Sequence, residues 1–537
     1  MNLRSVLTAT ILVTASVALH AELSWGNKDY HYPRTYKIHT AVTDTTVAAW
    51  GGERVGALAL FTTETDGAVS AKLSGPLAGN AMFVDYVLTD RFRACGIHPD
   101  NLEAYDVPDV ISDASTMVKA GETRPLWVTV EVPRGLPAGE YVDTLSVDGE
   151  KIPLRLNVSS RTLPAPDKWS FYLNLWQQPY AVSRYYNVEP WSQEHFELLK
   201  PYAQMLARAG QRTISTILFF EPWGEQSNDL FLPMVETSRN IDGSWDYDYS
   251  VFDRWVEFMT ENGVGPDIEC FSMVPWEMNF RYFDRTKGDY QFLKTTTDAP
   301  EYRELWSNFL SAFHKHLHEK GWENRAVIAM DERSMTDMKN AIDIVDSMAP
   351  GLKISLAGNY HPEIANRIYS LAITQGDQYP PGVIEARRAK GQFSSLYTCC
   401  SSPEPNLFSN SEPADAAWLP VHCVATGHDG YLHWSWMNWT DSPLSDTRFK
   451  LFAPGDTYFV YPDAKSSVRF ERLIEGIELS EKIRALKAEF IKNGDTHALA
   501  ELDNALTVFG NTRPRTNAST GKQIQFLNNL IKKYDQK

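Results

Sequence analysis

Basic charge is scarce in this chain. Against 68 Asp and Glu stand 51 Lys and Arg, so the 537 residues carry a formal net charge of −17. A general nucleic-acid binder needs a basic field to meet phosphates, so that class of partner is excluded. The balance suits neutral or cationic ligands. Cysteine is scarce as well, with only Cys95, Cys270, Cys399, Cys400 and Cys423. An odd number rules out complete pairing within the chain, and no C-x-x-C spacing marks a metal site. Buried thiols are expected, with a vicinal Cys399–Cys400 disulfide as the alternative. No G-x-G-x-x-G or Walker sequence occurs, so no phosphate-cradling turn is predicted. Neither a cofactor nor a metal is called for.

Long apolar runs are missing too, apart from the N-terminus. There Arg4 precedes the apolar stretch Val6–Leu19, and small residues follow, predicting cleavage after Ala18 or Ala21. Residues 1–21 read as a secretory signal peptide, too short and wrongly flanked for a membrane span. No Cys sits at the cleavage region for a lipid anchor. The mature protein is expected to be periplasmic or secreted, without stable membrane insertion.

Aromatic residues, by contrast, are abundant: 16 Trp and 24 Tyr. Some fill cores, and aromatic faces are also platforms for sugar rings. The length calls for two or more domains. Residues 22–165 carry short strands with period-two alternation, such as 123–133, 141–147 and 151–158, joined by Gly/Pro turns. They predict a β-sandwich. The Pro-rich stretch Arg161–Asp167 reads as a linker. Strand–helix alternation follows, with strands expected at 170–176, 213–220, 268–274, 326–330, 353–357, 370–374, 393–398 and 430–436. Eight strands with crossover helices predict a (β/α)8 TIM barrel over 166–493 rather than a doubly wound sheet. A long amphipathic helix is expected at 466–493, and a helical extension over 494–537. The fold class is thus multidomain: β-sandwich, catalytic barrel, helical extension.

In such barrels chemistry sits where the strands end. The fourth expected strand, Val327-Ile-Ala-Met330, ends in two adjacent acids, Asp331 and Glu332. Other strand ends supply Trp276 and Glu277, His361, Tyr397, and Trp434 through Trp439. Trp, Tyr and carboxylates gathered on one face are the chemistry of a carbohydrate site. Each also has a structural reading: a core Trp, an ion-paired Glu, a His capping a helix before Pro362. On the residues alone, the acid pair is open between chemistry and a mere exit from the core. Adjacent carboxylates repel as ions, which favours one staying protonated near neutral pH. Their side chains diverge, so they reach different atoms. They would not easily flank a sugar as the usual acid/nucleophile pair does. Adjacency suits a substrate whose own 2-acetamido group attacks the anomeric carbon.

The chain resembles glycoside hydrolase family 123, the β-N-acetylgalactosaminidases. The resemblance rests on Asp331-Glu332, Tyr397-Thr-Cys-Cys400 with Pro405-Asn406, and Asp429-Gly-Tyr-Leu-His-Trp434. It continues through Asp446-Thr-Arg-Phe449, Pro454–Tyr458, Val460-Tyr-Pro462 and Val468–Leu473. It implies retaining release of terminal β-linked N-acetylgalactosamine (GalNAc) from an oligosaccharide or glycoconjugate through an oxazoline. Glu332 would be acid/base and Asp331 would polarise the acetamide. Tyr397 would donate to its carbonyl, and Trp434 would lie under the sugar. Trp439, Trp276, Glu277 and His361 join them as candidate binding residues. His433 stands where the family's D-G-x-L-R-W block has Arg. Two other readings are carried: a non-catalytic glycan-binding barrel, and a glycosidase for a different sugar. The aglycone and oligomeric state are left open.

Overall fold

The computed structural model describes residues 21–510 and 518–535. The expected signal peptide, apart from Ala21, lies outside the described residues.

The amino-terminal unit holds two sheets. One runs in the order Glu22–Gly26, Arg54–Thr62, Thr123–Glu131, Ala78–Thr89, Tyr105–Ile111, and ends on Ser466–Ser467 from beyond the barrel. The other runs Thr45–Gly51, Glu150–Thr162, Gly139–Val147, Gly67–Ser74, Ser115–Val118. Alternation decides which face is buried. Ile152, Leu154, Leu156 and Val158 point inward while their neighbours do not, and they join Val55, Phe61, Leu126 and Leu145 in one apolar cluster. Asp148 and Gly149 both take positive φ, 47° and 88°. That is the turn a two-residue hairpin requires.

All eight expected barrel strands form. They are Tyr172–Leu175, Thr213–Ile217, Asp267–Phe271, Ala326–Met330, Lys353–Ala357, Ser370–Thr374, Phe393–Tyr397 and Gly430–His433, each parallel to its sequence neighbour. The first and second strands are the two ends of this sheet, and between them lies an isolated parallel bridge from Leu173 to Gln211, just before the second strand. The Gln211 side chain stitches this seam, taking the Leu175 N–H and donating to the Leu175 carbonyl, both at 3.0 Å. Helices cover the outside, so strands such as Ala-Val-Ile-Ala-Met330 are buried throughout and need no alternation.

Four expectations are corrected. First, the long helix begins at Val468, because Ser466–Ser467 pairs with Tyr105–Ile111 and Ser467 Oγ caps Phe470 N at 3.0 Å. Second, this helix is not amphipathic. Arg469, Glu471, Arg472 and Glu478 are buried beside Phe470 and Ile474, since it runs between barrel and sheets. Its charges pair across that boundary: Arg469 with Asp109 at 2.8 Å, Glu471 with Arg54 at 2.8 Å, Arg472 with Asp29 at 2.5 Å. Third, the loops after the second and third barrel strands build an unforeseen four-stranded sheet, Glu236–Arg239, Trp245–Asp248, Asn279–Asp284 and Asp289–Lys294. Fourth, Cys95 and Cys400 form a disulfide across 305 residues, so neither is a thiol and no vicinal Cys399–Cys400 bond exists. Cys270 and Cys423 are buried thiols, and Cys399 is partly exposed. Beside the disulfide, Gly96 N and His98 N donate to the Leu451 and Lys450 carbonyls, each at 2.8 Å. No helix among the described residues is long and apolar enough to cross a membrane.

Candidate active site

The acid pair occupies a short link between two fixed elements. Behind it lies the buried fourth strand. Ahead of it Ser334 caps the helix Met335–Met348, accepting the Asp337 N–H at 3.2 Å and donating to Asp337 Oδ2 at 2.6 Å. Such a cap satisfies amides that a helix start leaves free. Asp331 Oδ1 accepts the Glu332 N–H at 2.8 Å, and its Oδ2 accepts the Trp276 indole N–H at 3.2 Å. Glu332 reaches forward, taking the Asn359 amide N–H on Oε1 at 2.9 Å. Arg333 turns back: its guanidinium covers the Trp276 ring at 3.9 Å and its Nε donates to the Val274 carbonyl at 3.1 Å.

The two acids therefore have unequal surroundings. Burial pushes the Asp331 carboxyl up from its ordinary value, against the Arg333 charge and the bonds from Glu332 N and Trp276. Repulsion by Glu332 is the smallest of these effects, so desolvation rather than like charge sets the direction. Burial also raises the Tyr397 hydroxyl, and the charges of Cys399, Glu332, Asp331 and Asp377 act the same way. Tyr397, at the end of the seventh strand, thus shares a mouth with both acids and stays protonated.

Below the mouth the top layer of the barrel is lopsided. Trp176, Ile217 and Phe271 fill the side of the first three strands, with Trp223 stacked on Trp176 at 5.5 Å. On the fourth, fifth and sixth strands the same layer holds Ala329, Ala357 and Ala372. Trp434 and Tyr397 border this cluster, partly buried. Trp434 is fixed by its Nε1 donating to Asp456 Oδ2 at 2.9 Å. His433 lies fully buried behind it, its Nδ1 donating to the Ser435 carbonyl at 2.9 Å and its Nε2 3.4 Å from Asp456 Oδ1. The departure at His433 therefore touches the support of Trp434, not the mouth itself.

Trp276 is 48% exposed. Glu277, beside it, is exposed and lines a cavity of about 380 Å³ with Glu221, Ser227, Asn279 and Lys450. His361 is half-buried at the end of the fifth strand, where its carbonyl accepts the Ile364 and Ala365 N–H groups. Trp439 is not brought into this group. It is fully buried, its Nε1 donating to the Val460 carbonyl at 2.8 Å and its ring packed on Tyr202.

Two residues were given no role in the reading of the sequence. Asn359, at a strand end, holds Glu332. Gln375 is 4% exposed at the end of the sixth strand, its N–H donating to the Tyr397 carbonyl at 2.8 Å, with neither side-chain polar atom partnered. A buried amide left open beside a site is a binding candidate. Its only sequence signal was its position at the end of an apolar strand.

Residues 176–486 match the family model for the glycoside hydrolase 123 catalytic domain, and residues 25–149 the glycoside hydrolase 123 N-terminal domain. Among solved structures the chain is similar to a family 123 glycoside hydrolase from Clostridium perfringens, whose structural analysis addressed glycolipid glycan hydrolysis. Identity is 22%, coverage 96% of this chain and 99% of that one, and the TM-score 0.87. An amylomaltase from Corynebacterium glutamicum (9% identity, 80% and 89% coverage, TM-score 0.29) is too distant to carry an argument. So is a putative alpha-galactosidase from Bacteroides fragilis (10% identity, 83% and 78% coverage, TM-score 0.26). No curated protein matches. Barrel, acid pair and family match together define a glycoside hydrolase. The chain belongs to glycoside hydrolase family 123, and the reading as a non-catalytic binder gives way.

Proposed function

We propose that the enzyme is a retaining exo-glycosidase that releases terminal β-linked N-acetylgalactosamine by substrate-assisted catalysis through an oxazoline intermediate. The observation that carries this reading is the unequal setting of the acid pair, Asp331 sunk against Trp276 and Arg333, Glu332 forward on Asn359. Asp331 accepts the acetamide N–H and balances the charge that develops as the amide oxygen attacks the anomeric carbon. Glu332 gives its proton to the leaving oxygen. As a carboxylate it then takes one from the water that opens the ring. Tyr397 donates to the acetamide oxygen, and Trp434 underlies the sugar. Trp276, Glu277 and His361 complete the binding set. The first carboxylate after the seventh strand, Glu404, is engaged by Arg93 and Ser411, both at 3.0 Å, which supports the substrate's own amide as nucleophile.

The Clostridium perfringens relative's glycolipid glycans support an oligosaccharide of that kind as substrate. The two-sheet unit is read as a β-sandwich accessory domain over 22–165, and the helices Thr496–Leu506 and Ala518–Asp535 as the helical extension. Export to the periplasm or medium is part of the proposal, supported by the Cys95–Cys400 disulfide, a bond that persists in oxidising compartments.

The test compares aryl β-GalNAc, β-GlcNAc and β-galactoside hydrolysis by the purified protein, with an N-trifluoroacetyl analogue. The β-GalNAc compound is expected to turn over fastest, and the trifluoroacetyl group to slow it by weakening the internal nucleophile. Rapid turnover of the plain 2-hydroxyl sugar would overturn the mechanism.

A further inference from the structure

Three cysteines are unpaired, and only one is placed to react. Cys270 and Cys423 lie in the apolar core, where burial pushes the Cys270 thiol up to about 12 and raises Cys423 as well. Neither supplies the thiolate that attacks a disulfide. Cys399 is partly exposed, and its neighbour along the chain is one half of the bond to Cys95. The Sγ atoms of Cys95, Cys399 and Cys400 all lie within 4.8 Å of one another. Ser401 Oγ at 3.3 Å and Ser402 Oγ at 3.7 Å flank the Cys399 sulfur. Ser402 Oγ accepts the Cys399 N–H at 3.1 Å, which leaves its own proton free to be donated to that sulfur.

Chain geometry decides which sulfur Cys399 attacks. Attack on Cys400 would bond adjacent residues. Their Cα atoms are about 3.8 Å apart across a trans peptide, against about 4.4–6.8 Å in ordinary disulfides, so such a bond is strained. Attack on Cys95 carries no such strain, and Cys95 is the exposed end of the existing bond. The Cys399 thiolate then bonds to Cys95 Sγ. The Cys95–Cys400 bond breaks, and its electron pair leaves on Cys400 Sγ, which takes up the proton that Cys399 gave to solvent. One disulfide and one thiol stand on each side, so no oxidant or reductant is consumed. The released Cys400 is 4% exposed, against Phe449 and Phe452, where a neutral thiol packs as a small apolar side chain. Cys95 stays within reach throughout, because the backbone bonds from Gly96 and His98 and the Arg93 bond to Glu404 at 3.0 Å do not pass through the disulfide. A sulfur confined in this way meets its partner at a high effective concentration.

We propose that Cys95, Cys399 and Cys400 form an internal disulfide-exchange site, with Cys399 as the attacking thiol and Cys95 bonded in turn to Cys400 or Cys399. Cys399 and Trp434 both pack against the cluster of Cys400, Phe449 and Phe452, so the exchange changes the packing on which Trp434 rests. The site is independent of which sugar the enzyme cleaves.

The experiment uses the full-length protein purified without reductant. It is quenched in acid, which stops exchange, and alkylated with a maleimide in acidic denaturant, and the added groups are counted by intact mass. The wild type holds five cysteines and one bond, so three groups are expected. In Cys400→Ala four cysteines remain. Two groups and no linked dimer are expected there, because Cys95 takes Cys399 instead. A higher count, or a bond between two molecules, overturns the proposal. Cys399→Ala keeps the original bond and serves as the two-group control. If Cys400→Ala does not fold, the wild type decides. It is held near pH 8.5, where ordinary thiols ionise, then alkylated, and fragmentation locates the label. Label on Cys400 in a fraction of the molecules is expected. Label confined to Cys399 within this pair overturns the exchange.

Discussion

Glu269 is a buried acid inside the barrel, and replacing it makes a sharp test of the fold. Its carboxylate takes the Asn174 amide N–H at 3.0 Å, and Asp267 stands nearby. Burial is the main cause that pushes Glu269 from 4.5 up to about 7, with Asp267 adding to it and bonds from Asn174 and Ser355 opposing. The sign follows directly. Between 4.5 and about 7 the unfolded chain has released this proton and the folded chain has kept it. Stability contributed by the neutral acid is therefore complete below the lower value and lost progressively up to the higher one. A rise of that size corresponds to roughly 3 kcal/mol. Gln in its place keeps an acceptor for Asn174 and does not ionise. For a chain of this size the gain amounts to about 3 °C in Tm. Melting of wild type and Glu269→Gln is followed by circular dichroism at steps from pH 4.5 to 8.5. The two should melt alike at the acid end, diverge through the middle, and hold a constant gap above neutrality with the variant more stable. A gap independent of pH, or one favouring the wild type at pH 8, would refute the reasoning.

Glu332→Gln should reduce kcat by about 10²–10⁴-fold on aryl β-GalNAc, as expected for a lost general acid; wild-type rates would remove Glu332 from the mechanism. Asp331→Asn should lose turnover with binding less affected, which separates kcat from KM. Trp276→Phe removes an N–H that lowers the Asp331 carboxyl. The acid limb of the kcat/KM profile should therefore move to higher pH, and an unmoved limb would mean that Asp331 need not be ionised. Cys95→Ser opens a cross-link spanning 305 residues. It should cost about 2–5 kcal/mol of stability, read as a lower Tm, and reductant should reproduce the loss in the wild type but not in the variant.

Much of the barrel was legible because its signal is local. Each strand is a short apolar run bounded by turn residues, and helix starts carry their own caps, Ser192 and Ser334. The acid pair was legible for the same reason, since two charges directly after Val-Ile-Ala-Met break the pattern at one point. What stayed hidden depends on contacts between distant segments. Nothing in the spacing of five cysteines reveals that Cys95 meets Cys400. The helix Val468–Asn493 reads as one-sided until the partners of Arg469, Glu471 and Arg472 are seen on the amino-terminal unit. Trp434, Trp436 and Trp439 look equivalent in sequence. Only the fold sends the last two into the core and leaves the first at the mouth.

The strap around Cys95 bears on how this enzyme can be altered. It ties together the loops after the seventh and eighth barrel strands, through Cys400 on one and the Lys450 and Leu451 carbonyls on the other, while a buried arginine at 469 depends on an aspartate at 109. Recombination that joined this barrel to another relative's front half would strand that charge and release the loops after the seventh and eighth barrel strands. The two halves must be inherited and engineered as a matched pair.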